Sequence, residues 1–596
     1  PAPAPSRGPV ASPAAYAAVA AAESRPDIPG DAGPAELLAL AEEYDLAERV
    51  DMVAVVLAEF DARFGDVELP SALAARRAEF RGDERYQADD PDGAETEWRR
   101  SAELYRTAGD DVRAWSVVGR LGVLRCMRGN ADEGMEMVES SARFLAEHGD
   151  PRLSAVAQQR IGVALLMQER LPEALEAFDR VDQILATEFG DVSTAEPAVA
   201  HVAAHNALVR AQVLSQLERL EEARAAAIAA RDAYRRLGPP DRLAAAIVVY
   251  GQLLDDPAAA VEAFDEAVRL SGTDDIGMNA RLGRARALVA LDRIAEAIDD
   301  FVDVIGICAE RGIEDGAVFV RLELAHTYHH AGRGLEAAEA GEEALLGLVR
   351  LGHQAEADRC RHLLATIYAS LGEDEAALDM LDQLAANLDG PDNLPARGQV
   401  LEEAGELLYR VDRDQVAAER FAAAAEAYAL AGLPLDRLRA LRRRAVALHW
   451  AGDAAAAVAA LEGADEVSAR LPDEVATAPD AVWERAMLGC DAARVLIGAD
   501  RLDEALARVR EMPARFRSIE AFGEALQAEL LLGEVLLRLD RPGEAEPVLR
   551  SALGALPRDS KAVQQAAWLL ARALSDLGRV AEADAVRAEY DLPADE

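Results

Sequence analysis

The sequence is poor in several residue types, and each shortage excludes a class of protein. Among 596 residues there are 4 cysteines, and 5% of the residues are aromatic. The cysteines lie far apart and form no CxxC pair, so neither a disulfide framework nor a closed zinc motif is indicated, and a reducing, cytoplasmic location is expected. No apolar run approaches the roughly 20 residues that span a bilayer, so membrane insertion is not expected. The N-terminus lacks the pattern of a secretory signal.

Positive charge is also scarce. The chain has 63 Lys and Arg against 108 Asp and Glu, a formal net charge of −45, and Lys561 is its only lysine. Such a surface repels the phosphates of nucleic acids and anionic membranes, so nucleic acid is not expected as a partner. The composition, rich in Arg and Ala but poor in Lys, resembles that of a high-GC bacterium, and a moderately halophilic source is the alternative.

Motifs of nucleotide binding and hydrolysis are missing as well. The sequence contains no GxxxxGK[ST], no GxSxG, no HExxH and no glycine-rich dinucleotide loop after a strand. His201 and His205 are one helical turn apart, but the glutamate of a zinc-protease motif is absent, which favours a packing or surface role. The sequence therefore predicts a protein that is not an enzyme and has no cofactor.

What the chain does have is a repeat. A short pattern centred on a small residue recurs thirteen times, and seven of the twelve intervals are 40 residues. We number each repeat from that small residue as position 0. The anchors are Ala94, Gly134, Ala174, Ala223, Ala260, Ala297, Ala337, Ala377, Ala417, Ala457, Ala505, Ala545 and Ala583. A fixed period near 40 residues predicts a solenoid of two-helix units that bury apolar surface against their neighbours.

Within each repeat the residue types keep their order. A small residue lies at position −12, a large apolar residue at −9, and a turn residue at −5, as in Gly162, Leu165 and Glu169 before Ala174. Small residues at −12 and 0 allow two antiparallel helices to approach closely, and the residue at −9 fills the space beside them.

This pattern resembles the tetratricopeptide repeat (TPR) family, in a variant with long helices. The resemblance implies an all-α, right-handed α-solenoid of about 13 helical hairpins. It covers residues 71–590, preceded by a Pro/Ala-rich disordered tail (1–34) and capping helices (35–70), and followed by a short tail (591–596). The usual Tyr at −9 is mostly Leu here, which is a mild departure from the family.

Two intervals are longer than the rest. The extra residues fall in 189–200 and 471–482, which contain Asp, Val, Thr, Ala and Pro in similar order. Longer helices or surface loops are the favoured interpretation, because insertions in repeat proteins usually lie in loops. A contact loop or a joint between solenoid segments is the alternative.

In the TPR family the first helix of each hairpin lines the concave face, which places groove residues at positions −18, −15, −11, −8 and −7. By that resemblance, four repeats in the C-terminal half bring cationic and aromatic side chains to one face, and we call these the Arg/His strip. Its members are His326, His329, His330, Arg359, His362, Tyr409, Arg410, Arg439, Arg442, His449 and Trp450. Arg can clamp a carboxylate or phosphate, so a protein or peptide partner with an acidic or phosphorylated segment is the hypothesis.

Two other interpretations of the strip remain open. Its cations could pair with neighbouring acids such as Glu402 and Glu406, and His326, His330, Cys360 and His362 could form a metal site, although their spacing matches no closed motif. The Lys and Asn residues of the family's carboxylate clamp are absent. The predicted function is a protein-interaction scaffold. The alternative is the sensor or regulatory subunit of a bacterial signalling or transcription-control system whose effector domain is on another chain.

Overall fold

The chain folds into helices joined by short turns. The computed structural model describes residues 28–46, 49–192, 195–557, 560 and 562–592, and in these ranges it contains no β-strand. Most of the predicted tails, 1–34 and 591–596, lies outside the described residues. Two compact units divide the chain after Ile313, a division that the sequence interpretation did not include.

Unit 1 consists of an N-terminal pair of helices and six hairpins. Its helices are α1 (Pro34–Leu46), α2 (Val50–Phe64), α3 (Ser71–Gln87), α4 (Pro91–Ala108), α5 (Asp111–Met127), α6 (Ala131–His148), α7 (Pro151–Leu166), α8 (Leu171–Phe189), α9 (Pro197–Gln216), α10 (Leu220–Leu237), α11 (Pro240–Gln252), α12 (Pro257–Leu270), α13 (Asp275–Ala290) and α14 (Ile294–Arg311). Consecutive helices pair from α3–α4 to α13–α14, and α1 contacts both α3 and α9.

Unit 2 contains seven further hairpins. Its helices are α15 (Glu314–His330), α16 (Gly334–Leu351), α17 (Gln354–Leu371), α18 (Asp374–Asn387), α19 (Leu394–Arg410), α20 (Asp414–Leu430), α21 (Pro434–Trp450), α22 (Ala454–Ala469), α23 (Asp473–Ala476), α24 (Pro479–Gly498), α25 (Leu502–Val509), α26 (Met512–Ser518), α27 (Phe522–Arg538), α28 (Pro542–Ala555), α29 (Ala562–Asp576) and α30 (Val580–Glu589). A 3₁₀ turn, Pro391–Asn393, precedes α19. In the fifth hairpin α24 packs against α25 and α26.

The predicted all-α array of about 13 TPR-like hairpins is therefore confirmed. Within each unit, most first helices also contact the first helix of the next hairpin. Examples are the contact of α5 with α7 in unit 1 and that of α21 with α24 in unit 2. The right-handed superhelix and the domain bounds stay predictions.

The small residues hold each hairpin together as the pattern predicts. All thirteen anchors are buried. A Cβ added to Gly122 would lie 2.7 Å from the carbonyl oxygen of Gly134, and one added to Gly134 would lie 2.6 Å from that of Gly122. At Gly162 the same space is taken by the ring of Phe178, four residues after the anchor, at 2.5 Å. At positions −12 and 0, the distance between the two helices of a hairpin is thus set by contact with the facing backbone or with an aromatic ring.

The turn inside each hairpin has a defined backbone conformation. The residue at −5 has a positive φ in twelve of the thirteen repeats, for example 59° at Asp292 and 69° at Gly332. Gly, Asp and Asn tolerate this left-handed conformation best, and it ends the first helix. An exposed Arg–Glu pair often starts the second helix, as Arg293 and Glu296 do at 2.7 Å. The recurring glutamate before the anchor is explained by this pairing.

Candidate functional site

All members of the Arg/His strip lie on the first helices of four consecutive hairpins in unit 2. The strip residues are His326, His329 and His330 on α15, Arg359 and His362 on α17, Tyr409 and Arg410 on α19, and Arg439, Arg442, His449 and Trp450 on α21. Their ion pairs determine which of these side chains are available to a partner.

Acids on α19 neutralise two cations on α21. Nε and Nη2 of Arg439 donate to the Glu402 carboxylate at 2.7 and 3.0 Å. Arg443, which follows the strip residue Arg442, forms ion pairs with Glu402 and Glu406. The hydrogen bonds from Arg439 to the Glu402 carboxylate raise the pKa of Arg439. For these arginines, pairing with neighbouring acids is the observed arrangement.

Arg442 is buried between helices. Its side chain donates to Glu484 at 3.0 Å and to Asp491 at 2.7 Å, both on α24, and the residue is 5% exposed. Burial alone would lower its pKa, but the two carboxylates outweigh that effect and the pKa is raised. Arg442 therefore points into a helix interface, and this corrects the expectation that it lines an open groove.

Three further strip cations also have acidic neighbours. His362 Nε2 lies 2.7 Å from Glu403 Oε2, and this hydrogen bond raises the pKa of the imidazole. Arg359 pairs with Glu356 on its own helix at 2.8 Å, and Arg410 lies 3.7 Å from Asp374. These pairs are partly exposed, so each contributes little to stability.

The remaining strip residues are more open. Trp450 is 64% exposed, and its ring centroid lies 5.6 Å from that of His449. Desolvation, and next the proximity of His329, lowers the pKa of His326. Tyr409 is half-buried, and burial raises its pKa. The strip as a partner site stays a prediction, and all four of its arginines are already paired with acids.

A second candidate lies in unit 1, where the first helices α3, α5, α7 and α9, together with Trp98 of α4, surround a recess of about 300 Å³. We call this the unit 1 recess. It is lined by Asp83, Tyr86, Trp98, Arg120, Val123, Leu124, Met127, Val156, Gln159, Arg160, Val163 and His205.

The repeat pattern accounts for much of this lining. Val123 and Val163 lie at position −11 of their repeats, and Val156 and Gln159 at −18 and −15. These are the groove positions that the resemblance implies. Gln159 is buried, and its amide donates to the carbonyl oxygen of Val202 on α9 at 3.4 Å. Four lining residues of the recess therefore lie at positions that the resemblance assigns to the groove.

Asp83, which lines the unit 1 recess, and Glu79 beside it both have hydrogen-bond partners. Arg120 donates to both oxygens of Asp83 at 2.6 Å and lies 3.5 Å from Glu79. Trp98 Nε1 donates to Asp83 at 3.1 Å, and the Tyr105 hydroxyl donates to Glu79 at 2.8 Å. Burial would lower the pKa of Arg120, but these carboxylates outweigh it and the pKa is raised.

Arg160 differs from Arg120, the other arginine of the recess, in having no carboxylate partner. Its Nη1 donates to the carbonyl oxygen of Ser116 on α5 at 2.7 Å and lies 3.4 Å from the Ser116 hydroxyl. Among the residues that the structure describes, no carboxylate lies within 4.0 Å of this guanidinium. The pKa of Arg160 is lowered to about 9, first by desolvation and second by the charge of Arg120. It remains a cation at neutral pH.

The sequence interpretation missed Arg120 and Arg160. Both lie at position −14, which is not among the five groove positions of the rule. The signal that could have identified them is an arginine at this position in two consecutive repeats. Position −14 faces the preceding first helix, because the side chain of Arg160 reaches Ser116 on α5.

The long intervals are largely structural in unit 1. Phe189, Val192 and Ala195 pack against Ala155 and Val181, and α9 extends to 20 residues. Val192 and Ala195 also line an alanine-rich groove of about 770 Å³ between α9 and α10. Residues 193–194 lie outside the described residues.

In unit 2, residues 471–482 include the short helix α23 and the start of the 20-residue α24. A contact role for either segment stays a prediction.

No metal centre is apparent among the described residues, because no three or more His, Cys, Asp or Glu side chains converge on a point there. Cys360 is buried and donates to the carbonyl oxygen of Gly341 at 3.2 Å, away from the exposed His326 and His330. None of the helices in these ranges combines the length and apolarity needed to cross a bilayer.

No family model matches the sequence, and no curated protein does. Several solved structures share the helical-repeat fold at low similarity. A signal-transduction ATPase with numerous domains and a TPR sensor, from Pyrococcus horikoshii, is 12% identical over 63% of this chain and 69% of that one, with a TM-score of 0.38. A Rap protein complexed with competence and sporulation factor is 15% identical over 67% and 99%, with a TM-score of 0.35.

The Cut9–Hcn1 hetero-tetramer of the APC/C is 12% identical over 94% of this chain and 98% of that chain, with a TM-score of 0.30. At these scores the TPR-like assignment rests on the paired helices and the repeat register described above.

Proposed function

We propose that this chain is a protein-interaction scaffold and that the unit 1 recess holds a segment of its partner. The observation that carries the proposal is a recess shared by the first helices of four consecutive hairpins, with an arginine that has no acidic partner in the described chain. A concave site with an apolar lining and a few convergent polar groups is the usual form of a ligand site.

The lining suits an extended segment with mixed chemistry. Val123 on α5 and Val156 and Val163 on α7 give the recess an apolar lining. Tyr86 and Met127 also line it and are exposed, with the Tyr86 hydroxyl 3.3 Å from the Met127 sulfur. Burying such surface favours association, and a charged group in the recess determines the orientation of the ligand. No reaction is needed to explain this arrangement, so we propose a binding rather than a catalytic role.

The proposal can be tested by filling the recess with a bulky side chain. We compare capture of proteins from a native lysate by the unaltered chain, by Val163→Trp and by Val446→Trp. Val163 and Val446 are the same residue type at the same position, −11, and both are half-buried, one in unit 1 and one in unit 2. Proteins that are retained by Val446→Trp and lost by Val163→Trp support the unit 1 recess.

The opposite outcomes are equally informative. Loss with Val446→Trp alone would place the site at the Arg/His strip, and capture that is unaffected by either substitution would contradict both sites. The regulatory alternative makes a separate prediction: the captured protein is an effector enzyme or transcription regulator whose activity changes when it is bound.

A further inference from the structure

Arg160 is a recessed cation that lacks a counter-ion within its own chain. A guanidinium has five N–H donors, and the described contacts of Arg160 use only Nη1, on the backbone and hydroxyl of Ser116. The charges that act on it are those of Glu79, Asp83, Arg120 and Arg152. The two acids are held by Arg120, so they compensate Arg160 only partly.

The packing leaves room for this side chain. A Cβ added to Gly119 would lie 3.1 Å from Arg160 Nη1 and 2.8 Å from the Ser141 hydroxyl. A side chain at position 119 would therefore displace the Ser141 hydroxyl and crowd the guanidinium of Arg160. Two other arginines of α3 and α5, Arg76 and Arg113, have a different environment, since both form ion pairs with Glu42 on α1.

We propose that the recess binds a carboxylate that adjoins an apolar group, with the carboxylate on Arg160 and the apolar group against Val156 and Val163. This inference rests on the proposed function and names the chemistry of the partner segment. Arginine recognises carboxylates through two parallel hydrogen bonds, and such charge-assisted bonds are strong where water is partly excluded.

A monoanion fits better than a phosphate. Among the described residues that line the recess, Arg160 is the arginine without a carboxylate within 4.0 Å, and Asp83 and Glu79 lie near enough to affect its pKa. A phosphate with a charge near −2 would have one partner cation and would be repelled by two acids. The carboxylate could belong to an acidic side chain, to a chain terminus or to a free small acid.

The test uses small probes first. N-acetyl-leucine presents a carboxylate next to an apolar side chain, N-acetyl-leucinamide is its neutral analogue, and O-phosphoserine supplies a phosphate. Binding to the full chain is measured by calorimetry or NMR at low ionic strength. We expect N-acetyl-leucine to bind at least about tenfold more tightly than the amide, consistent with the loss of one charge-assisted interaction, and more tightly than O-phosphoserine.

The matched variants are Arg160→Gln and Arg443→Gln. Both residues lie at position −14, but Arg443 is already paired with Glu402 and Glu406. Arg160→Gln should remove the preference for the acid over the amide, and Arg443→Gln should leave it unchanged. Equal binding of acid and amide to the unaltered chain, or unchanged binding by Arg160→Gln, would overturn the inference.

A second arm separates this inference from the proposed function. If Val163→Trp abolishes capture of the partner and Arg160→Gln does not weaken it, the interaction function remains and the carboxylate inference is wrong. If N-acetyl-leucine binding depends on Arg160 but no captured protein depends on Val163, the ligand is a free acid and the scaffold function at this recess is wrong.

Discussion

The first helices of unit 1 and unit 2 share one repeat pattern, but an arginine at the same repeat position has different partners in the two units. Arg160 and Arg443 both lie at position −14 and face the preceding first helix. In unit 2 that helix offers Glu402 and Glu406, and Arg443 is neutralised. In unit 1 the corresponding positions, −15 and −11, are Gly119 and Val123. Two residues on a neighbouring helix thus decide whether an arginine stabilises the fold or is available to a ligand.

The comparison also explains how a chain of net charge −45 can contain a local site for an anion. Overall charge affects association through the field around the whole protein. Recognition at short range depends on which cations remain unpaired.

The largest expected effect is the difference in unfolding free energy between variants of Arg442, which is paired with buried acids, and variants of Arg160, which is not. Arg442→Met leaves the buried Glu484 without its cation and leaves Asp491 with Arg494 alone, at an expected cost of about 3–5 kcal/mol in unfolding free energy. Arg160→Met removes a cation without a carboxylate partner and should change the free energy by about 1 kcal/mol or less. Because repeat arrays can unfold in parts, native-state hydrogen exchange of α7, α21 and α24 is the measurement. Equal losses for both variants would contradict the contrast.

Hairpin packing should be the same in both units. Gly122→Leu in unit 1 and Ala445→Leu in unit 2 each overpack position −12, at an expected cost of roughly 1–3 kcal/mol. Gly122 faces the backbone of Gly134, which cannot move aside as a side chain can, so its cost should be at the upper end. Urea denaturation followed by circular dichroism measures both variants. As a control, a substitution of the exposed Glu339 should have little effect.

A single substitution should convert unit 1 to the arrangement of unit 2. Val123→Glu places a carboxylate where Glu406 lies in unit 2, and it should pair with Arg160. We expect at least about tenfold weaker binding of N-acetyl-leucine and a gain in unfolding free energy of up to about 1 kcal/mol. Val123→Gln is the control of similar shape without charge. If Val123→Gln weakens binding as much as Val123→Glu does, then shape rather than charge governs the recess.

The smallest expected effect is the pH dependence of the His362–Glu403 pair in unit 2. The pKa of His362 is raised by its hydrogen bond to Glu403, so its contribution is complete below the unfolded pKa of about 6.5 and is lost as pH rises through the folded value. Burial would raise the pKa of Glu403, but the bond to His362 lowers it, so its contribution is lost as pH falls through the folded value.

The pair should therefore stabilise α17 and α19 most between about pH 4.5 and 6.5, by less than about 1 kcal/mol because both side chains are partly exposed. Hydrogen exchange of these helices at several pH values, in the unaltered chain and in His362→Gln, measures the difference. A profile that is the same in both proteins would contradict the assignment.

Much of the fold could be predicted from the sequence because its determinants are local. The spacing of small residues predicts the hairpins, and a residue such as Asp292 or Gly332 at −5 has the chemistry that a left-handed turn needs. The position of the functional site was less accessible. Val156 and Val163, which lie at predicted groove positions, do line the unit 1 recess, but the groove rule ranked candidates by residue type alone. It therefore favoured Arg439 and Arg442, which are paired, over Arg160, which is not.

The sequence by itself determined the helical hairpins, their number and their register, because each depends on residues within one repeat of about 40 positions. Only the tertiary structure decided which charges are compensated, since an ion pair between first helices joins residues 37–49 positions apart, such as Arg439 with Glu402 and Arg442 with Asp491. Whether a carboxylate reaches a guanidinium depends on the offset between neighbouring helices, and a difference of a few ångströms there separates a neutralised arginine from one that can bind a ligand.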